Sequence, residues 1–84
     1  MYIIYAIVSK IDNRVYVGLT SDLVRRLTEH NSGSVFSTKG YRPWSLLYTE
    51  EAIDRVTARQ REKYLKSGTG KEFLKKMRDN CIPR

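Results

Sequence analysis

The sequence predicts a small α/β domain that begins with two strands and continues with a helix, a third strand and two further helices. Two short runs, at 2–8 and 15–19, are rich in the β-branched and aromatic residues that favour strands. Because only a short link separates them, they are expected to pair as an antiparallel hairpin. A helix start follows the second run, and a third strand followed by two helices completes the predicted order of elements.

The hairpin is predicted to lead directly into the first helix. Gly18 ends the second strand, and residues 20–22 (Thr-Ser-Asp) supply a capping oxygen and an acid for the positive end of a helix dipole. Leu23 and Leu27 recur at helical spacing and mark the buried stripe. Gly33 is well placed to follow the C-terminal cap of this helix.

The second half of the chain predicts a strand and two helices. Residues 44–50 have the alternation of a strand. A helix over 54–66 follows, with Asp54 as its N-terminal cap. The sequence Ser-Gly-Thr-Gly at 67–70 is predicted to break that helix, and a short final helix is predicted over 71–78.

Length and charge limit the possible functions. The 84 residues make a single domain, with a core at 1–78 and a short tail at 79–84. The net charge of +7 favours a polyanionic partner, and nucleic acid is the commonest. No segment has the length of a membrane span, and no basic helix has the bulky apolar face that a membrane surface requires. The single cysteine, Cys81, excludes an internal disulfide, which together with the lack of a signal peptide predicts a cytoplasmic protein.

Four side chains of the hairpin and the first helix are predicted to share one cleft. Tyr5 and Tyr16 lie near the middle of the two strands, while Arg26 and His30 are four residues apart and share one helix face. These groups suit a phosphodiester, because they offer a proton acceptor for water and cations for the charge that grows on phosphate. Each residue alone is more often structural, so the prediction depends on their joint spacing.

Glu62 falls on the inward face of the second predicted helix. It shares that face with Ala58 and Leu65. A carboxylate in such a position is costly unless it is paired or bound to a cation. The residues alone leave two alternatives, an ion pair with a neighbouring arginine and a metal site, and they favour the ion pair.

The chain resembles the GIY-YIG nuclease superfamily, in particular its small stand-alone bacterial members. The residues that carry the resemblance are Ile3-Ile4-Tyr5, Tyr16-Val17-Gly18, Arg26 and His30. Later stretches at 39–48 and 61–66 extend the resemblance over nearly the whole chain. Ile3 departs from the glycine of the family name, at a backbone position rather than a chemical one.

This resemblance implies a three-stranded, mostly antiparallel sheet flanked by helices. It also implies a metal-dependent endonuclease that hydrolyses DNA phosphodiester bonds, with selectivity for DNA structure and a role in DNA repair or processing. Glu62 matches the family's metal-binding glutamate, with Mg²⁺ or Mn²⁺ as the cofactor. Arg26 would stabilise the transition state, His30 would position water or phosphate, and one of Tyr5 and Tyr16 would take a proton from water, with Tyr16 preferred.

DNA is the expected partner, with RNA as the second candidate. The expected nucleic-acid contacts are Arg25, Lys39, Arg42 and Lys66. The loop at 34–43, taken by its residues alone, equally suits an ordinary solvated loop with Val35 and Phe36 in the core. Two other function classes stay open: a binding module that has lost cleavage, and a small basic RNA- or ribosome-associated protein. A homodimer or a targeting partner is also left open.

Overall fold

The computed structural model of the protein describes residues 1–81 and contains one three-stranded sheet with helices on both faces. No helix in this range is both long enough and apolar enough to cross a bilayer. The elements are β1 (Tyr2–Ser9), β2 (Val15–Thr20), α1 (Leu23–Ser32), a short 3-10 helix (Lys39–Tyr41), β3 (Trp44–Ala52), α2 (Arg55–Lys66) and α3 (Gly68–Cys81).

The sheet has the strand order β2-β1-β3, and both pairings are antiparallel. β1 is the central strand, so Tyr5 lies opposite Gly18 on one side and Thr49 on the other. The predicted α/β fold with a mostly antiparallel sheet is therefore confirmed. A register shift between Ala6 and Ile7 interrupts the pairing of β1 with β3.

The alternation of β1 divides the core between the two faces of the sheet. Ile4 and Ala6 face α2 and α3 and belong to a cluster with Leu65 and Leu74. Tyr5, Ile7 and Trp44 form a second buried cluster on the opposite face, against which Leu23 and Leu27 of α1 pack. Since side chains alternate between the faces of a strand, neighbouring residues of β1 lie in different cores.

Helix α1 begins and ends as its sequence predicts. The side chain of Asp22 accepts a hydrogen bond from the backbone N–H of Arg25 at 3.1 Å, which satisfies one of the free donors of the first turn. Gly33 follows the helix in the left-handed conformation, with φ 88°. The side chain of Asn31 bonds both the N–H and the carbonyl of Trp44, so the end of α1 is fixed to the start of β3.

The junction of α2 and α3 differs from the prediction. Only Ser67 interrupts the helices, and α3 begins at Gly68 and runs beyond the predicted end at residue 78. Ser67 starts the new helix because its carbonyl accepts from Lys71 N–H at 2.8 Å. A side chain at Gly70 would collide with the backbone of Tyr64 and Leu65, so glycine permits the close turn between the two helices. Residues 82–84 of the predicted tail lie outside the described range.

Candidate active site

A cleft of about 440 Å³ opens where β2 ends, between α1 on one face of the sheet and α2 on the other. Its lining includes Tyr5 and Tyr16 from the sheet, Arg26 from α1 and Glu62 from α2. His30 does not line the cleft and lies directly behind Tyr5. The structure thus brings the five predicted catalytic residues to one place, with the imidazole as a buried support.

A chain of hydrogen bonds runs from the cleft into the core. The Tyr5 hydroxyl is 2.7 Å from Nε2 of His30, and Nδ1 of His30 is 2.8 Å from the Thr38 hydroxyl oxygen. Tyr5 is 1% exposed and His30 is fully buried. Trp44 Nε1 donates to the Thr38 carbonyl at 2.9 Å and fixes the backbone that presents this hydroxyl.

The partners of Thr38 determine the direction of these hydrogen bonds. Its hydroxyl donates to the carbonyl of Val35 at 3.4 Å, because a carbonyl oxygen only accepts. The Thr38 oxygen therefore accepts from the Nδ1–H of His30. In the neutral imidazole, which the lowered pKa of His30 favours, Nε2 then carries the lone pair and accepts from the Tyr5 hydroxyl.

The two partners of the central hydrogen bond have pKa values that move in opposite directions. Burial raises the pKa of the Tyr5 phenol above 10.0, and the neighbouring Arg26 guanidinium opposes that shift. Burial lowers the pKa of His30 below 6.5, and the positive charge of Arg26 lowers it further. At neutral pH both groups are uncharged, which is the state in which the phenol donates and the imidazole accepts.

The buried neutral histidine predicts a loss of stability on acidification. Since the folded-state pKa of His30 lies below its unfolded value, the unfolded chain binds the proton more tightly, and the free energy of unfolding falls as pH drops through about 6.5. Between about pH 7.5 and about pH 5.5 we expect a decrease with a slope of up to about 1.4 kcal/mol per pH unit. Urea unfolding at several pH values measures it.

A His30→Gln variant is the control for this pH dependence. It should be less stable than the wild type near neutral pH and should show a flatter profile in the same range. Carboxyl groups with lowered pKa, such as Glu50 beside Arg61, lose their contribution only at more acidic pH. A wild-type profile as flat as that of the variant would contradict the buried neutral imidazole.

Tyr16 contacts the ring of His30 rather than its nitrogen atoms. The ring centroids of Tyr16 and His30 are 5.1 Å apart in an edge-to-face arrangement, and Trp44 lies at 6.4 Å from Tyr16 in a similar one. These aromatic contacts fix the phenol of Tyr16 at the wall of the cleft.

Gly18 makes room for the Tyr5 hydroxyl. A side-chain carbon built on Gly18 would overlap the hydroxyl and the adjacent ring carbons of Tyr5. Because Tyr5 is fully packed, its ring has little space to move away. The prediction that Gly18 ends the strand is wrong, because β2 continues through it to Thr20. The missing side chain of Gly18 instead leaves space for the Tyr5 phenol beside the cleft.

Glu62 lies at the rim of the cleft with cations on either side. Its side chain is 13% exposed, 3.5 Å from Nη1 of Arg59 and 3.2 Å from Nζ of Lys66. The ion pair that the residues alone favoured is present, and Glu62 also lines the same cleft as the two tyrosines. Within residues 1–81, no group of three or more His, Cys, Asp or Glu side chains forms a metal cage. A single carboxylate that leaves positions for water and phosphate oxygens is a donor set that suits Mg²⁺.

Two cleft arginines were missed by the sequence analysis. Arg55 and Arg59 lie on α2 and line the cleft together with Glu62. Arg59 lies one helical turn after Arg55 and one turn before Glu62, so the sequence already placed all three on one side of the helix. Thr38 was missed as well, since no local pattern relates it to a histidine eight residues earlier.

The predicted nucleic-acid contacts lie outside the lining of the cleft. Lys39 stacks over Phe36 at 4.9 Å, and Arg42 Nε donates to the Lys39 carbonyl at 2.7 Å. The solvated-loop alternative placed Phe36 in the core. That prediction is wrong, because Phe36 is 83% exposed. Arg25 is exposed beside Glu29, and Lys66 pairs with Glu62.

Residues 1–78 of the chain match the family described as the GIY-YIG catalytic domain. The chain is 40% identical over 74 residues to a UPF0213 protein of Desulfotalea psychrophila, a match that covers 83% of this chain and 67% of that protein. It is 44% identical over 69 residues to a UPF0213 protein of Orgyia pseudotsugata multicapsid polyhedrosis virus, with 80% and 66% covered. The chain spans about two thirds of the length of these relatives, and their names state no activity.

A solved structure of a similar protein supports the same relationship. The solution NMR structure of a UPF0213 protein from Bacillus halodurans is similar to this chain with a TM-score of 0.55 and 31% sequence identity. The similarity covers 92% of this chain and 85% of that one.

Proposed function

The chain belongs to the GIY-YIG nuclease family, and from that premise we propose that it is a metal-dependent endonuclease that hydrolyses DNA phosphodiester bonds. The observation that carries the proposal is the cleft itself, which joins Tyr5, its buried acceptor His30, Arg26 and Glu62. A protein that only bound DNA would need the basic surface alone, whereas this cleft also joins a phenol, a guanidinium and a carboxylate, the groups that phosphodiester hydrolysis requires.

We propose Tyr5 as the group that activates water. Its oxygen accepts a proton from the attacking water while its own hydroxyl proton passes to Nε2 of His30, 2.7 Å away. The hydroxide forms a bond to phosphorus as the bond from phosphorus to the leaving oxygen breaks, and solvent supplies a proton to that oxygen. The sequence favoured Tyr16 for this role. Tyr16 contacts the imidazole by its ring edge, and we propose that it orients the water.

The arginines of the cleft are proposed to bind the phosphate. Arg26 lies beside Tyr5, and contact with that hydroxyl raises the pKa of its guanidinium, so it stays charged. It is placed to stabilise the negative charge that develops on the phosphate oxygens. Arg55 and Arg59 approach from the other side of the cleft and provide further cations for the backbone of the DNA.

Glu62 is proposed to hold the divalent ion, Mg²⁺ or Mn²⁺. A metal ion bound there would act as a Lewis acid, which would polarise the scissile phosphate and stabilise the leaving oxygen. Arg59 and Lys66, which neutralise Glu62 in the free protein, then become available to phosphate oxygens. We place the activity in DNA repair or processing, and an open cleft on so small a domain suits selection by DNA structure rather than by a long base sequence.

Cleavage by the wild-type protein tests the proposed function. Supercoiled plasmid and branched or flapped oligonucleotides would be incubated with Mg²⁺, with Mn²⁺ and with excess EDTA, and the products separated by electrophoresis. We expect nicked plasmid or shortened strands with either metal and none with EDTA. Tight, salt-sensitive DNA binding with no cleavage of any substrate would refute the enzyme and leave the DNA- or RNA-binding module.

A further inference from the structure

A second groove, of about 400 Å³, lies beside the cleft on the face of the sheet covered by α2 and α3. We call it the β2–α3 groove. Its apolar lining consists of Val15, Val17, Leu65 and Leu74. Five cations line it as well: Arg14, Lys66, Lys71, Lys75 and Arg78. Of the predicted catalytic residues, only Tyr16 is among its lining residues.

The groove combines positive charge with an apolar surface. No Asp or Glu lies among its lining residues. Arg78 is fixed at one end, where its Nη1 donates to the Asn13 carbonyl at 2.9 Å. Lys75 makes a long ion pair of 4.0 Å with Glu72, and its side chain stays 53% exposed, so a phosphate can reach its ammonium group. A ligand that matches this surface carries negative charges along a chain that also has apolar parts.

The groove lies next to the cleft. Tyr16 borders both of them. The ion pair of Lys66 with Glu62, at 3.2 Å, joins a groove residue to a cleft residue. A polymer with a phosphate in the cleft therefore has a path along β2 into the groove.

From these three observations we infer that the β2–α3 groove binds single-stranded DNA that continues from the scissile phosphate. The lysines would contact phosphate oxygens, and the apolar lining would contact the bases and sugars. Binding would then depend on contacts with the bases and sugars as well as on the positive charge of the groove. This inference rests on the proposed function, because the DNA strand in the groove is the same strand whose scissile phosphate lies in the cleft.

Two double variants separate the groove from the general basic charge. Lys71→Glu/Lys75→Glu reverses two groove cations, and the matched control Lys63→Glu/Lys76→Glu reverses two exposed lysines of the same helices outside the groove. Both pairs lower the net charge equally. The groove variant places both new glutamates on α3, four residues apart, whereas the control places one on α2 and one on α3. Urea unfolding of both variants would therefore accompany the binding measurement, so that a loss of helix stability is separated from a loss of binding.

Binding would be measured by fluorescence anisotropy with a labelled oligothymidine of about 12 nucleotides in EDTA, so that no cleavage takes place. We expect the groove variant to raise Kd at least about tenfold and the control less than about threefold. The slope of log Kd against log salt should decrease by about 1.4 in the groove variant, since single strands contribute about 0.7 per phosphate contact. In NMR titrations of the wild type, amides of β2 and of the α2–α3 junction should shift.

Three results would overturn the inference: no oligothymidine binding by the wild type, equal weakening in both variants, or shifts confined to another surface. A poly-glutamate peptide or phosphatidylserine vesicles that bind more tightly than the oligonucleotide, with the same dependence on Lys71 and Lys75, would assign the groove to a different ligand. Plasmid cleavage is measured separately. DNA binding in the groove without any cleavage would support this inference and refute the proposed function. Cleavage without binding in the groove would support the proposed function and refute this inference.

Discussion

Replacement of Glu62 by glutamine is expected to reduce metal-dependent cleavage by at least about a thousandfold, a loss of about 4 kcal/mol in transition-state stabilisation. Glu62 is the one carboxylate among the residues that line the described cleft. Glutamine keeps the size of the side chain and removes the charge that a divalent ion requires. The measurement is the rate of plasmid nicking at saturating Mg²⁺.

DNA binding by the same variant should be retained or become tighter. Loss of the carboxylate frees Arg59 and Lys66 from their ion pairs, which leaves two more cations for phosphate. Glu51→Gln, which removes one charge from an exposed position of β3, is the control and should cut DNA at the wild-type rate. Undiminished nicking by Glu62→Gln would exclude Glu62 as the metal ligand.

Gly18→Ala is expected to reduce cleavage at least about a hundredfold in a protein that still folds. The added methyl group overlaps the Tyr5 hydroxyl, so the phenol must move and its hydrogen bond to Nε2 of His30 is lost. Overpacking of this kind costs about 1–3 kcal/mol, so the free energy of unfolding should also fall. Cleavage rates and urea unfolding would be measured on the same preparation.

Gly40→Ala is the matched control, because a side-chain carbon on Gly40 meets no atom within 4 Å. Tyr5→Phe provides an independent comparison, since it keeps the ring and deletes only the hydroxyl. We expect both Gly18→Ala and Tyr5→Phe to be inactive and Gly40→Ala to resemble the wild type. If Gly18→Ala cut DNA at the wild-type rate, the proposed contribution of the Tyr5–His30 hydrogen bond would be refuted.

Elements governed by neighbouring residues were predictable from the sequence. The hairpin, the cap of α1 at Asp22 and the glycine after that helix follow from local propensity and capping chemistry. The start of α3 was not predictable from the sequence. Glycine and threonine at 68–70 indicate a break in the helix unless the close approach of Gly70 to α2 is known. Tertiary contacts outweigh propensity at this junction.

The candidate site was predictable as a set of residues and not as an arrangement. Periodicity placed Arg26 and His30 on one helix face and Glu62 on the inward face of α2, and the family resemblance added the metal-binding role of Glu62. The hydrogen bond between Tyr5 and His30 joins residues 25 positions apart, and only the packing of α1 on the sheet defines it. Thr38 supports His30 from a short 3-10 segment held by Trp44, which has no periodic pattern of its own.

The division of the site between the two faces of the sheet has a consequence during protein synthesis. The hairpin and α1 leave the ribosome first and carry both tyrosines, Arg26 and His30, whereas Glu62 arrives later on α2. A nascent chain in which α2 has not docked thus holds the phenols without the carboxylate that the proposed chemistry needs. On the proposed mechanism, a nascent chain or a proteolytic fragment that ends before α2 lacks Glu62 and should therefore not cut DNA.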